Sequence, residues 1–437
     1  MRLIGNKTKL LGQIEKFLAD RGVVRGCLID IFSGTASVGR HFKRRGFRVI
    51  ANDALAMCYA QAVAKIEVCE WPSFEKWRAS LNSLLESTRY QEQVDAWVYR
   101  QRESRRQREK ERHRPKNEVI DPAGERRLAE FVYYLNTHVE PLDGLFFRNF
   151  SPGGGAGRQY FTDENGRRLD GIVDYLRTTW RKELLDRQEF YLALSALIDA
   201  ADRVANISGT YGAFLKSFQS NARRTLVVDA PEVISSPLRH EAHREDSNEL
   251  ISKLRGDVLY IDPPYNRRQY AANYHILEMI AEYHQIDDLD AYEARLYGRT
   301  GLRPYDELKS LYCIRPSARQ PADNALSAMQ DLILKSKAQH VLVSYNEEGL
   351  ISREELGAIL ARFSGERRFD FRRQMREVNY RRFRSDADRE EPTSKGKRQY
   401  KVLDGRAKDE LSEWLFFASR SSAQRTAKKR RSAATPG

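Results

Sequence analysis

The sequence predicts an α/β fold, a mostly parallel sheet with helices on both faces, from three observations. Residues 27–53 run strand, glycine-bearing loop, helix, strand and acid, the order that opens a nucleotide-binding α/β unit. Two more short apolar runs, 258–261 and 340–345, have the unbroken character of strands buried on both faces. The first of these runs ends on Asp262-Pro263-Pro264-Tyr265, where the prolines fix φ and carry no N–H, so a strand must stop. In an open α/β sheet that carboxyl end is where ligands bind.

Taken in order, residues 8–20 place Leu10, Leu11, Ile14, Phe17 and Leu18 at helical spacing and predict a first helix. Residues 27–32 read as a strand, 33–39 (SGTASVG) as a tight loop, and 40–45 as a basic helical stretch ended by Gly46. A second strand at 48–51 closes on Asn52-Asp53. From 71 to 183 the pattern changes to dense charge and aromatics without strand rhythm, which predicts a large, mostly helical insertion. Within it, 101–114 interleaves arginines with glutamates, the pattern of a solvated helix more often than of a phosphate contact. Residues 151–166 are loop by composition. Regularity returns with an apolar-periodic helix at 190–207 and continues through 225–228 into the strands at 258–261 and 340–345. Charge and aromatics dominate again over 362–419, and 420–437 reads as a disordered basic tail. The resulting division is a discontinuous catalytic domain, 1–70 and 184–361, with 71–183 inserted and a basic C-terminal extension.

The chain has 437 residues, 75 Lys+Arg against 61 Asp+Glu, and a formal net charge of +14, which favours a polyanionic partner. Its four cysteines form no CxxC pair and no metal-ligand spacing, so reduced thiols, a cytoplasmic location and no metal are expected. No apolar run reaches the ~18 residues of a membrane span, and the N-terminal residues lack a signal-peptide core.

The loop after the first strand narrows the cofactor. Gly34 and Gly39 have P-loop spacing, but Arg40 and His41 stand where Lys and Ser/Thr would hold phosphate and magnesium. The glycines are too few for a dinucleotide fingerprint. A nucleoside cofactor without a pyrophosphate remains, and S-adenosylmethionine is the leading member of that set. Asp53 then stands where an acid would accept hydrogen bonds from ribose hydroxyls.

Together, RLIGNKTKLL at 2–11, DIFSGTASVG at 30–39, Asn52-Asp53, NISGTYGAFLKSF at 206–218, YIDPPYNRRQYAANYH at 260–275 and LVSYNEEGL at 342–350 resemble the Dam-like alpha group of adenine-specific DNA methyltransferases. The resemblance implies a Rossmann-like class I methyltransferase sheet, S-adenosylmethionine as cofactor and double-stranded DNA as substrate. It implies that the Asp262 carboxylate and the Pro263 carbonyl accept the two hydrogens of the adenine amine, with Pro264 fixing that carbonyl and Tyr265 stacking on a flipped base. Leu3, Lys7, Asp30, Phe32, Ser33, Gly34, Thr35, Asp53, Asp246 and Asp262 are the implied cofactor residues. Asn266, Arg267 and Arg268 are implied at the DNA. Leu3 stands where members often carry an aromatic, and Ala36 replaces a common loop glycine, a change that binding tolerates if φ there is negative. Asp246 and Asn248 either contact the cofactor's adenine or cap a helix. Tyr270, Tyr274 and His275 are expected in the core.

Relatives acting on RNA or on protein glutamine usually carry Asn in place of Asp262, which favours DNA adenine, with cytosine amine methylation as a lesser alternative. A non-catalytic DNA-binding subunit is the rival of another class. The expectation is a monomeric modification enzyme of a restriction or phage system, with either 71–183 or 362–419 reading bases; a cognate endonuclease encoded nearby is a candidate partner.

Overall fold

The computed structural model describes residues 1–109, 121–317, 321–381 and 410–420. Residues 110–114 of the basic run and the tail from 421 onward lie outside the described residues. Seven strands form one sheet: β1 (Cys27–Asp30), β2 (Arg48–Asn52), β3 (Glu241–His243), β4 (Val258–Ile261), β5 (His340–Asn346), β6 (Met375–Arg381) and β7 (Glu410–Ser419). Their order is β3-β2-β1-β4-β5-β7-β6. The first five are parallel, while β7 runs antiparallel to both β5 and β6.

Side-chain alternation loads both faces. Leu28, Val258, Tyr260 and Leu342 pack with helices α1 (Leu11–Ala19) and α2 (Ser37–Arg44). Ile29, Leu259, Ile261 and Val343 pack on the other face with helices Ala325–Lys335 and Arg353–Ser364. Strands covered on both faces must be apolar throughout, which is why β1 and β4 were readable as runs.

The described residues of the stretch 71–183 are mostly helical, as expected, chiefly Thr88–Glu109, Pro122–Thr137, Leu145–Phe150 and Asp163–Arg181. It does not stand apart. One apolar cluster joins Val94, Phe131, Phe146 and Ile172 to Met57 and Ala60 of α3 (Ala56–Ala62), to Leu197, and to Ile276 and Ile280, so packing is continuous across residues 70/71 and 183/184. The stretch 362–419 likewise ends in strands: Leu415, Phe416 and Ala418 are buried, and β7 sits between β5 and β6.

Two local expectations are corrected. Residues 151–166 are not loop throughout, because Tyr160 and Phe161 are fully buried and Thr162 caps the helix that begins at Asp163. Residues 225–228, where regularity was expected to continue, form neither helix nor strand. Their backbone groups are met by asparagine side chains: Leu226 N–H donates to Asn165 Oδ1 at 2.7 Å, and Val228 N–H to Asn136 Oδ1 at 2.9 Å. The helix expected at 190–207 is Arg187–Val204, opened by an Asp186–Glu189 capping box. Among the described residues, no helix is long and apolar enough to cross a membrane.

Three buried carboxyls fasten helix starts. Asp30 accepts from Gly39 N–H in α2, Glu278 from Ala56 and Met57 N–H in α3, and Asp170 from Phe146 and Phe147 N–H. Burial lifts each to about 7. Folded, they hold protons that the unfolded chain releases near pH 4, so their contribution is lost as pH rises through 7. Buried His240, His275 and His284, lowered by burial to about 4, act oppositely, destabilising the fold below pH ~6.5. The two sets largely offset each other between pH ~4 and ~6.5, and above that the carboxyls outweigh the histidines. Urea denaturation should therefore show stability falling by on the order of 1 kcal/mol between pH 6.5 and 8; a rise over that interval would refute this account.

Candidate active site

β1 and β4 are neighbours, so the sheet brings Asp30 and Asp262 to the same carboxyl edge. There a cleft of about 590 Å³ opens, in the usual range for small-molecule sites. Its lining draws on the N-terminal residues, the loop after β1, the acid after β2, residues 244–248, the 262–271 stretch and the 307–312 turn.

The N-terminal segment lies across this edge because two tyrosines hold its backbone. Ile4 N–H donates to Tyr274 Oη at 2.8 Å, and Tyr270 Oη donates to Ile4 C=O at 3.1 Å. Asn6 Nδ2 adds a bond to Thr35 Oγ1 at 3.2 Å. Lys7 is thereby carried inward, its side chain 4% exposed, with its ammonium 3.0 Å from Asp262 Oδ1 and 2.9 Å from Glu413 Oε1 on β7. Burial disfavours that ammonium, but Asp262, Glu413 and Tyr260 outweigh it and raise its pKa well above the ordinary lysine value. Asp262, 17% exposed and part of the cleft wall, is raised to about 7 by burial, with Lys7 opposing and Glu413 adding to the rise.

The loop between β1 and α2 is built around Asp53 and Asn52. Gly34 N–H donates to Asp53 Oδ2 at 2.9 Å, Leu55 N–H donates to Asp53 Oδ1 at 3.1 Å, and Ser33 N–H donates to Asn52 C=O at 2.9 Å. Gly34 has φ +51, which favours glycine, and a Cβ there would press on the Leu3 Cδ2 end at 3.0 Å. Ala36 has φ +60, not the negative φ on which tolerance of alanine in place of glycine was premised. It is fully buried against the α1–α2 core, where the methyl's packing, about 0.8 kcal/mol, offsets part of a left-handed penalty of about 1–2 kcal/mol. Ser33 Oγ is buried and has no hydrogen-bond partner among the described residues.

Residues 3–315 match the D12 class of N6 adenine-specific DNA methyltransferases. The chain belongs to that family. It is 34% identical over 363 residues to the Type II methyltransferase M.FokI of Planomicrobium okeanokoites, covering 82% of this chain and 46% of that protein. It is 30% identical over 389 residues to the Type II methyltransferase M.NlaIII of Neisseria lactamica, covering 88% and 93%. With the modification methylase StsI of Streptococcus sanguinis it shares 31% over 405 residues, covering 92% and 51%. The chain thus spans about half the length of M.FokI and StsI and nearly all of M.NlaIII. No solved structure matches it.

In this D12-class chain most of the residues expected from sequence line the one cleft: Leu3, Lys7, Asp30, Phe32, Ser33, Gly34, Thr35, Asp53, Asp246, Asp262, Pro263, Pro264 and Tyr265. Several are differently employed. The Lys7 ammonium is engaged by two carboxylates. Asp30 is 1% exposed and fastens α2 from below the loop. Asp246 caps the helix Ser247–Leu250, whereas the Asn248 amide is held by Tyr312 Oη, Ala328 C=O and Asp331 and is no cap; both line the cleft. Asn266 Oδ1 accepts from Arg268 N–H in a short turn that leaves Arg267 and Arg268 exposed. His275 is buried, its ring nitrogens facing Ala272 and Thr300 carbonyls.

Sequence reasoning missed Glu413, Ser344, Tyr312 and the Gln269–Ser310 pair, in which the amide exchanges two hydrogen bonds with the Ser310 backbone and ties the 262–271 stretch to the cleft's opposite wall. Glu413 left one signal: it shares a strand face with Leu415 and Phe417, where an acid without a partner would be costly.

Proposed function

We propose that this chain is a site-specific DNA methyltransferase that transfers a methyl group from S-adenosylmethionine to the exocyclic amine of adenine, as the modification enzyme of a restriction system or a phage. The observation that carries this is the Asp262 carboxylate at the end of β4, followed by the rigid Pro263-Pro264 pair and backed by the buried Lys7.

The adenine amine is a poor nucleophile because its lone pair is delocalised into the ring. The Asp262 carboxylate and the Pro263 carbonyl accept its two hydrogens, which turns the lone pair out of conjugation. The fixed φ angles of Pro263 and Pro264 keep that carbonyl aimed. Tyr265 stacks on the base, which must leave the duplex at a cost of a few kcal/mol. S-adenosylmethionine, when bound, supplies an electrophilic methyl group. Its fit is supported by the unpartnered Ser33 Oγ and by Asp53, whose oxygens each take one backbone N–H and retain capacity for ribose hydroxyls. Leu3, Phe32, Gly34 and Thr35 would line that pocket. Asn266, Arg267 and Arg268 would meet phosphates beside the flipped base, and the helical stretch 71–183 would read sequence in the groove. Rate enhancement here comes from orientation and electrostatics.

The test is incubation with unmethylated genomic DNA and methyl-labelled S-adenosylmethionine, followed by digestion to nucleosides. Label in N6-methyladenine is expected; label confined to RNA, or absent from DNA with cofactor bound, would overturn the proposal. Because Asp262 must be ionised to act as a strong acceptor for its amine hydrogen, and burial raises it to about 7, kcat/KM should rise with pH across neutrality and level off above it.

A further inference from the structure

We infer that Glu413 is a positioning residue for methyl transfer: by sharing the Lys7 ammonium, it keeps the Asp262 carboxylate from being consumed in a one-to-one ion pair. The inference rests on Asp262 being the acceptor of the amine hydrogens. Three observations carry it. Lys7 Nζ sits 2.9 Å from Glu413 Oε1 and 3.0 Å from Asp262 Oδ1, so one cation is divided between two acids. Glu413 is 1% exposed on β7, which is paired on both sides by β5 and β6, where an apolar residue would serve the fold better. Ser344 Oγ donates to the same Oε1, whereas Oε2 is buried with no hydrogen-bond partner among the described residues. An acid bound on one oxygen only, in a core strand, is a poor structural device.

The charge arithmetic gives the consequence. Lys7, Asp262 and Glu413 together carry one net negative charge, so Asp262 remains a strong hydrogen-bond acceptor. The other titratable groups around it are Tyr260 on its own strand, Asp30 on β1 and Tyr270 after the proline turn. Tyr260 and Tyr270 stay neutral well above neutral pH, so they do not alter the balance.

Glu413→Gln keeps the shape and removes the charge. Lys7 then pairs with Asp262 alone, and two changes are expected together: the acid limb of the pH–kcat profile moves to lower pH, and the plateau rate falls about tenfold or more. Lys7→Gln should move the limb the opposite way. Cofactor affinity, measured by calorimetry, and thermal midpoint report whether each variant is folded. If Glu413→Gln does not fold, the Lys7→Gln/Glu413→Gln double variant carries the test, with its limb expected below that of Lys7→Gln. An unshifted limb with an unchanged rate in a folded Glu413→Gln protein would overturn the inference, as would coincident limbs in the Lys7→Gln pair. Wild-type protein that labels no DNA adenine would instead refute the underlying reading of Asp262.

Discussion

Asp262→Ala should lower single-turnover methyl transfer by about 10³-fold or more while leaving DNA and cofactor binding within a few-fold of wild type. The loss is large because no other group can substitute. Pro263 offers one carbonyl, which can hold one amine hydrogen but cannot fix the plane of the amine, so the lone pair remains in conjugation. The fold should survive. Removing one partner of a buried ion pair commonly costs about 3–5 kcal/mol because it strands the other charge, yet Lys7 keeps Glu413 at 2.9 Å. Asp262→Asn is the sharper variant. It preserves volume and the acceptor oxygen but removes the negative charge, so the bond to the amine hydrogen weakens and transfer should fall by about 10²-fold or more. Transfer assayed with a short duplex, beside gel-shift titration, separates the effects. A residual rate within tenfold of wild type in Asp262→Ala would mean that another group accepts the amine hydrogens.

The sequence was informative where local chemistry and tertiary context agreed. β1, β2, β4 and β5 are covered on both faces, so their apolar runs had few other interpretations, and the Pro263-Pro264 stop marked the site by backbone constraint alone. Asp53 was placed for the same reason, at the end of a buried strand. The failures have a common cause, a partner distant in the chain. Glu413 lies 151 positions after Asp262, counting 413 − 262, and its meaning depends on Lys7 and on β7 threading between β5 and β6. Nothing in a charged and aromatic stretch announces a strand paired on both sides. Tyr160 and Phe161 were hidden by neighbouring glycines, although two adjacent aromatics flanked by a Thr162 cap were a usable sign of burial. Ala36 took a left-handed conformation that composition gives no reason to expect, because the packing of its methyl group is set by α1.

The 225–228 error leads to the second large effect. The chain between Val204 and Glu241 forms neither helix nor strand, yet Leu226 and Val228 are fully buried, so its backbone groups need partners that no ladder supplies. Three asparagines supply them. Asn206 donates to Gln159 and Leu215 carbonyls and accepts from Gln219 N–H. Asn136 grips Val228 at both its N–H and its C=O. Asn165, 1% exposed, donates to Arg224 C=O at 2.8 Å and accepts from Leu226 N–H at 2.7 Å. An amide side chain is the right group because it carries donor and acceptor side by side, as a peptide unit does. Asn165→Ala would strand two buried backbone groups at about 1–3 kcal/mol each, against a gain of a few tenths in helix propensity. The expected loss is about 3 kcal/mol in urea denaturation. Asn165→Asp should do no better, since it keeps the acceptor but loses the donor and buries a charge. Both variants should retain the acid limb of the wild-type pH profile, because Asn165 reaches Asp262 through no shared partner. A loss below about 1 kcal/mol for Asn165→Ala would show that water enters to satisfy the same groups, and that this stretch is held by the packing of Leu226 and Val228 instead.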